Sequence, residues 1–100
     1  MESKWRVELT KPAQAGLDQL REEYGDEAYF DALDTLLALE DEPEPPEAKE
    51  LENTRSEYRI YLYRSLYRAI YRLIRNRHVV LVTRVGPRGE ETYKGHYEKW

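Results

Sequence analysis

Three prolines within seven residues, Asp41-Glu42-Pro43-Glu44-Pro45-Pro46-Glu47, divide this chain. A proline ring fixes φ, removes a backbone donor and pushes the preceding residue out of helical space. Neither a helix nor a central strand runs through such a stretch. It reads as an acidic, extended connection, too short to separate domains. What lies on its two sides differs in kind. Residues 1–50 carry five basic and fifteen acidic side chains, a net of −10, whereas residues 51–100 carry eleven basic and five acidic, a net of +6. The overall charge of −4 conceals that split. It implies one acidic surface and one surface facing a polyanion. The plainer alternative is a solubilising helical layer on a sheet whose arginines are merely solvated.

One hundred residues suit a single domain, residues 1–100, with a thin core. The chain has no cysteine, which excludes disulfides, thiolate metal sites and a cysteine nucleophile, and fits a reducing cytosol. No apolar run approaches the ~20 residues of a membrane helix, and no signal peptide follows Met1. The expectation is a soluble, cytoplasmic protein without a membrane partner.

In the acidic half, Trp5-Arg6-Val7-Glu8-Leu9 alternates as a half-buried strand does, with Trp5, Val7 and Leu9 inward. Thr10 is placed to cap a helix, and Pro12 suits its first turn. That helix is expected from Pro12 to Tyr24, on a stripe of Ala13, Leu17, Leu20 and Tyr24, with Gly25 breaking it. Asp26 is read as the cap of a second helix from Glu27 to Glu40. Its expected inward stripe is Tyr29, Phe30, Leu33, Leu36, Leu37 and Leu39. Glu22, Glu23, Asp26, Glu27, Asp31 and Asp34 fall on the solvated side.

The basic half interleaves tyrosine and arginine: Tyr58-Arg59-Ile60-Tyr61-Leu62-Tyr63-Arg64-Ser65-Leu66-Tyr67-Arg68-Ala69-Ile70-Tyr71-Arg72. Guanidinium forks match phosphates, and flat phenol rings stack on bases. The pattern therefore suits a nucleic-acid backbone. Its periodicity leaves two structures open. Tyr58, Tyr61, Leu62, Ser65, Leu66, Ala69, Ile70 and Leu73 share a helical face, with Arg64, Arg68 and Arg72 on another. Equally, Ile60 and Leu62 alternate with Arg59, Tyr61 and Tyr63, while Tyr67, Ala69, Tyr71 and Leu73 alternate with Arg68, Ile70 and Arg72, as two strands would. Tyrosine and isoleucine content favours strands, and the lack of Gly or Asn near Ser65 argues against a hairpin. Asn76-Arg77-His78 reads as a turn. Val79 to Val85 is the clearest strand, apolar enough to be central, and Gly86-Pro87-Arg88-Gly89 stops it. Thr92 to Tyr97 is a final short strand or helical turn. His78 and His96 lack metal-ligand neighbours at usable spacing, and no metal or cofactor is expected.

Three pieces of this half, "YRIYLYRSLYRAIYRLI", "VVLVTRVGPR" and Tyr93, resemble the RelE/ParE superfamily of toxins from type II toxin–antitoxin systems, the RelE-like branch more than the ParE-like one. The specific signal is the pairing of Tyr67-Arg68-Ala69-Ile70-Tyr71 with Val85-Gly86-Pro87-Arg88. The resemblance implies strands over Tyr58–Ile74. It implies an α+β fold: an N-terminal strand, a helical hairpin, then a three- to four-stranded antiparallel sheet (βααβββ) with one face left open. It also implies a ribosome-dependent mRNA endoribonuclease, an mRNA interferase. The partners implied are a cognate antitoxin, the ribosome and mRNA. The alternatives are a ParE-like inhibitor of DNA gyrase and an inactive antitoxin-binding relative.

Residue by residue, the resemblance places Arg59, Tyr61, Arg68, Arg88 and Tyr93 in the catalytic site, with Arg64 and Arg72 as RNA contacts. Tyr61 stands where the nuclease branch commonly has a basic residue. Cleavage requires the ribose 2′-oxygen to lose a proton, the phosphorane charge to be stabilised and the leaving 5′-oxygen to be protonated. Guanidinium groups suit the second task but hold their protons too tightly to act as the base. That leaves Tyr61 or Tyr93. A tyrosine titrates near ~10 in water and needs neighbouring cationic charge to serve.

Overall fold

The computed structural model describes residues 4–51 and 56–88. Its elements run β1 (Arg6–Leu9), α1 (Lys11–Tyr24), α2 (Asp26–Leu37), β2 (Lys49–Glu50), β3 (Glu57–Leu62), β4 (Tyr67–Ile74) and β5 (Val79–Pro87). The strands form one sheet in the order β1-β5-β4-β3-β2. β1 joins β5 in parallel, and every other pairing is antiparallel. The α+β class and the strand, helical hairpin, antiparallel-strand order are those expected. The two-residue β2 and the parallel pairing of β1 are additions.

Thr10 caps α1 as read, its hydroxyl accepting from the Ala13 amide at 3.3 Å. Gly25 ends the helix at φ 98°, a conformation a side chain would strain. The buried stripe of α1 is Ala13, Gly16, Leu17 and Leu20, and Tyr24 is half exposed.

The second helix corrects the expected stripe. Its buried residues are Ala28, Ala32 and Leu36, followed by Leu39 in a 3-10 turn over Ala38–Glu40. Phe30 is 53% exposed and Leu37 is 43% exposed. Phe30 sits two residues, about 200°, from both alanines, so when those small side chains face the core it must face away. Tyr29 and Leu33 pack only at the margin of the core. Asp26 is the first helical residue rather than the cap. Gly25 holds the cap position, and the Asp26 carboxylate accepts instead from Arg21 Nε at 2.7 Å.

The proline-rich connection is tied down at its middle. Tyr71 donates its hydroxyl to the Pro43 carbonyl at 2.8 Å, and Arg75 pairs with Glu44 at 3.0 Å. The core fills the space between the helices and one sheet face, using Tyr58, Ile60 and Leu62 of β3, Tyr67, Ala69, Tyr71 and Leu73 of β4, and Val80, Val82 and Val85 of β5.

The β4–β5 ladder shifts register between Ile70 and Tyr71: Ile70 faces Arg84, yet Tyr71 faces Val82. Thr83 is the extra residue of a bulge, and its hydroxyl donates to the Ile70 carbonyl at 3.2 Å. The start of α1 packs on this spot. The Thr10 amide donates to Val82 O at 3.0 Å, and its hydroxyl lies 3.2 Å from Val82 O and 3.0 Å from Thr83 O. Nearly two turns after Thr10, Gly16 meets β5 so closely that a Cβ there would stand 1.9 Å from Val85 O. Backbone atoms cannot give way as a side chain does. Gly16→Ala is therefore expected to lower the unfolding free energy by about 1–3 kcal/mol, read by urea titration. An unchanged midpoint would show that α1 does not rest on β5 at this point.

Candidate functional site

Partners across a ladder share a face of the sheet. β3 turns Arg59 and Tyr61 away from the helices, β4 turns out Arg68, Ile70 and Arg72, and β5 turns out Leu81, Arg84 and Gly86. One row across this face is Tyr61, Arg68 and Gly86. Tyr61 is its centre of contact. The Arg88 guanidinium carbon lies 4.7 Å from the Tyr61 ring centroid, and that of Arg59 lies 5.3 Å away, both within cation–π range. Arg68 stands directly opposite on the neighbouring strand. Three arginines from three chain segments thus gather around one ring.

Their surroundings differ. Arg88 is exposed, Arg59 is half-buried, and Arg68 is 1% exposed. Arg68 is the one buried charged residue among those described. The three arginines are therefore not equivalent in exposure. Arg59 and Arg88 are presented to solvent, while Arg68 lies within the sheet surface between Tyr61 and Gly86.

Arg88 is held by the β3–β4 turn, its amide donating to Leu66 O at 2.9 Å and Nη1 to Ser65 O at 3.4 Å. That turn has left-handed backbone at Tyr63 (φ 44°), Arg64 (φ 57°) and Ser65 (φ 63°). Such φ values are uncommon for residues with a Cβ, and no glycine or asparagine announces the turn. Arg64 is exposed at the tip, its guanidinium 5.2 Å from the Tyr63 ring. Arg72 shares the open face but lies four residues along β4 from Arg68, roughly 13 Å away. It sits opposite Glu57, with Nε 3.8 Å from the carboxylate. Arg64 and Arg72 therefore flank the cluster rather than join it. Tyr93 lies outside the described residues, as does the stretch Thr92–Tyr97.

The other phenols of this half point into the core. Burial pushes the Tyr67 hydroxyl above its ordinary range, reinforced by its hydrogen bond to Glu23 at 2.5 Å. Burial likewise raises Tyr71, with the Tyr58 ring stacked 5.5 Å away, and raises Tyr58 itself. These groups keep their protons and lie on the wrong side of the sheet to take one from a ligand. His78 caps the 3-10 turn Arg75–Arg77 at φ 54° and stacks on Trp5 at 4.9 Å, a structural position. Among the described residues no three His, Asp or Glu side chains cluster as metal ligands, and no helix is long and apolar enough to cross a membrane.

Arg84 is the residue the sequence hides. Strict alternation from Val80 and Val82 sends it inward, but the Thr83 bulge reverses the parity and sets it beside Ile70 on the open face.

The family model for the ParE toxin of the type II toxin–antitoxin system parDE matches residues 7–92. This chain belongs to that family, within the RelE/ParE superfamily. No curated protein matches it. Among solved structures it is similar to the archaeal RelE–RelB complex from Pyrococcus horikoshii OT3, at 28% identity and TM-score 0.69, covering 87% of this chain and 98% of that one. It is similar in fold to the isolated E. coli RelE toxin, at 22% identity and TM-score 0.70, covering 95% and 97%. The fold is also that of the chromosomal ParDE system from P. aeruginosa, at 18% identity and TM-score 0.68, covering 86% and 98%. The chain is accordingly a type II toxin of the RelE/ParE family, and its relatives in fold include both branches.

The buried phenols give an alkaline signature. An unfolded tyrosine releases its proton near pH ~10, whereas folded Tyr67 and Tyr71 hold theirs to higher pH. Above that point the unfolded state binds fewer protons, so stability falls as pH rises through and beyond ~10, by about 1.4 kcal/mol per pH unit for each such group. Unfolding free energies measured across this window should fall less steeply, by one proton, in Tyr67→Phe and again in Tyr71→Phe. A slope unchanged in both variants would place the alkaline sensitivity elsewhere.

Proposed function

We propose that this toxin is an mRNA endoribonuclease that cuts on the ribosome, with the Tyr61 cluster as its active site. The observation that carries the reading is the gathering of Arg59 and Arg88 on the Tyr61 ring, with Arg68 opposite. Fixed guanidinium charge aimed at one point stabilises a phosphorane without reorganisation. Arg88 and Arg59 meet the scissile phosphate. Arg68, buried in the sheet surface between Tyr61 and Gly86, supports the same charge from within the sheet. Since arginine keeps its proton, Tyr61 or Tyr93 takes the proton of the ribose 2′-hydroxyl as that oxygen bonds to phosphorus and delivers a proton to the 5′-oxygen as its bond to phosphorus breaks; the two also align the nucleotide. A toxin that cuts ribosome-bound mRNA acts in the cytoplasm, where translation proceeds.

Its partner is a cognate antitoxin, as in the RelE–RelB and ParDE assemblies it resembles. A carboxylate-bearing antitoxin segment on the open face would compete with RNA phosphates.

A second reading rests on a specific observation. Neither Lys nor His stands in the Tyr61 cluster among the described residues, and the matching family is named for ParE. Inhibition of DNA gyrase without catalysis would need no base.

The deciding assay is cleavage of mRNA on purified translating ribosomes. Arg88→Ala and Arg59→Ala are each expected to reduce the rate about 100-fold or more. Arg88→Ala should leave unfolding free energy within about 0.5 kcal/mol, because the residue is exposed. Arg68→Ala is the poorer test, since it removes a buried side chain. Cleavage that persists at the wild-type rate in folded Arg88→Ala overturns the active-site assignment. Absence of cleavage together with blocked DNA supercoiling favours the gyrase reading.

A further inference from the structure

We propose that Tyr24 and Tyr63 are positioning residues: packed ring against ring, they hold the β3–β4 turn in the left-handed form whose carbonyls keep the Arg88 guanidinium on Tyr61. The proposal rests on the nuclease reading above and adds to it a route from the end of α1 to the reacting centre.

The turn is an unfavourable one for its sequence. Leu62 and Tyr67 close the β3–β4 ladder, and Tyr63 to Leu66 reverse the chain between them. The Leu66 amide donates to Tyr63 O at 3.0 Å. Tyr63, Arg64 and Ser65 all have positive φ, which a Cβ disfavours, and none is the glycine or asparagine that adopts it readily. Such residues in succession persist only where their surroundings hold them.

Contacts on two sides do so. On the helix side, the Tyr63 ring packs on Tyr24, centroids 5.5 Å apart, and Tyr24 meets Tyr67 edge-on at 6.3 Å. Tyr67 is buried and bonded to Glu23, so the far end of this aromatic row is fixed in the core. Tyr24 is the last residue of α1, set where Gly25 ends the helix. On the other side, the carbonyls of Ser65 and Leu66 accept from the Arg88 side chain and amide. Arg88 is exposed, yet its guanidinium lies 4.7 Å from the Tyr61 centroid. A right-handed turn would aim both carbonyls elsewhere and return a long, exposed side chain to its many rotamers. Placement matters because a fixed charge stabilises a transition state only where it is aimed.

A plainer role exists for the two rings. They would simply cover Tyr67, and their contribution would then be independent of Arg88.

Arginine side-chain spectra of the isotope-labelled protein test the geometry without reference to activity. The Tyr61 ring current displaces the Arg88 signals, which Arg88→Ala identifies by their absence. The displacement should persist in Tyr24→Phe and be largely lost in Tyr24→Ala and in Tyr63→Ala, while the Arg59 signals stay. Ser65→Gly, which removes the Cβ penalty at one left-handed position, should restore it in the Tyr24→Ala background. In the ribosome assay Tyr24→Ala should lower kcat about 10–100-fold with KM little changed. It should lower kcat no further once Arg88 is alanine. Arg88 signals undisplaced in the wild type, or equally displaced in the wild type and the alanine variants, overturn the proposal. So do losses that multiply in the Tyr24→Ala, Arg88→Ala double variant, which mark a merely structural role. Tyr63→Ala carries the test if Tyr24→Ala does not fold. Displacement lost in the variants, with no cleavage by the wild type, sinks the nuclease and leaves the positioning. Wild-type cleavage with displacement retained in the variants sinks the positioning and leaves the nuclease.

Discussion

The contact of α1 with the bulge in β5 governs what the rest of the sheet displays. Three successive features of β5 meet the first turns of that helix: the carbonyls of Val82 and Thr83 at Thr10, and the carbonyl of Val85 at Gly16. Only a residue without Cβ permits the last approach. The bulge that makes these carbonyls available also changes strand parity. Val82 and Val85, three residues apart, both reach the core, and Arg84 and Gly86 face outward. Were Thr83 a regular ladder residue, alternation from Val82 would bury Arg84 and turn Val85 to solvent. Gly86 would then face inward, and the chain would leave β5 toward Arg88 from the wrong face. A packing decision on the helical side thus sets the charge pattern on the other side.

Tyr61 shows how that pattern is made specific. Two guanidinium groups over one ring would repel one another in a low-dielectric site, but the ring's negative face and the solvent around Arg88 moderate the cost. Arg88 is positioned by main-chain carbonyls of the β3–β4 turn rather than by a carboxylate. Its charge therefore stays available to an incoming anion. Arg72, four residues along β4, illustrates the opposite arrangement: it is exposed to water and pairs with half-buried Glu57, a contact worth little in stability yet enough to blunt its field.

Much of the fold was legible because local signals agreed with burial. The alternation in Trp5–Leu9, the Thr10 cap, the Gly25 break and the proline connection each reflect chemistry within a few residues. The segment Tyr58–Ile74 resisted because its deciding interactions are remote. Tyr67 and Tyr71 find hydroxyl partners at Glu23 and Pro43, and the turn between the strands is made by Tyr63, Arg64 and Ser65 in left-handed backbone. Periodicity alone left helix and strands open there; tyrosine and isoleucine content leaned toward strands, and the family resemblance decided for them. In α2 the large side chains suggested Phe30 and Leu37 as core. The alanines face the core instead, and Phe30, two residues from each, turns away from it. Within the site, Arg59, Tyr61, Arg68 and Arg88 came from the resemblance, and the sheet brings all four together. The burial of Arg68 was not legible, since it depends on strand neighbours. Arg84 was hidden by the bulge.

A protein of net charge −4 is an unpromising partner for a polyanion unless its charges are segregated. Here they are. Glu22, Glu23, Asp26, Glu27, Asp31 and Asp34 are exposed on the helical layer, and the sheet face behind it carries Arg59, Arg84, Arg88 and Lys49. The domain is 25 Å across its shortest axis, about three times the Debye length of ~8 Å at physiological salt. At that ionic strength a phosphate on the sheet sees the nearby arginines and little of the carboxylates beyond. As salt falls the screening length grows and the helical layer begins to oppose binding. The acidic half therefore tempers the low-salt gain that a uniformly basic protein shows. It also keeps the attraction for anions confined to one face.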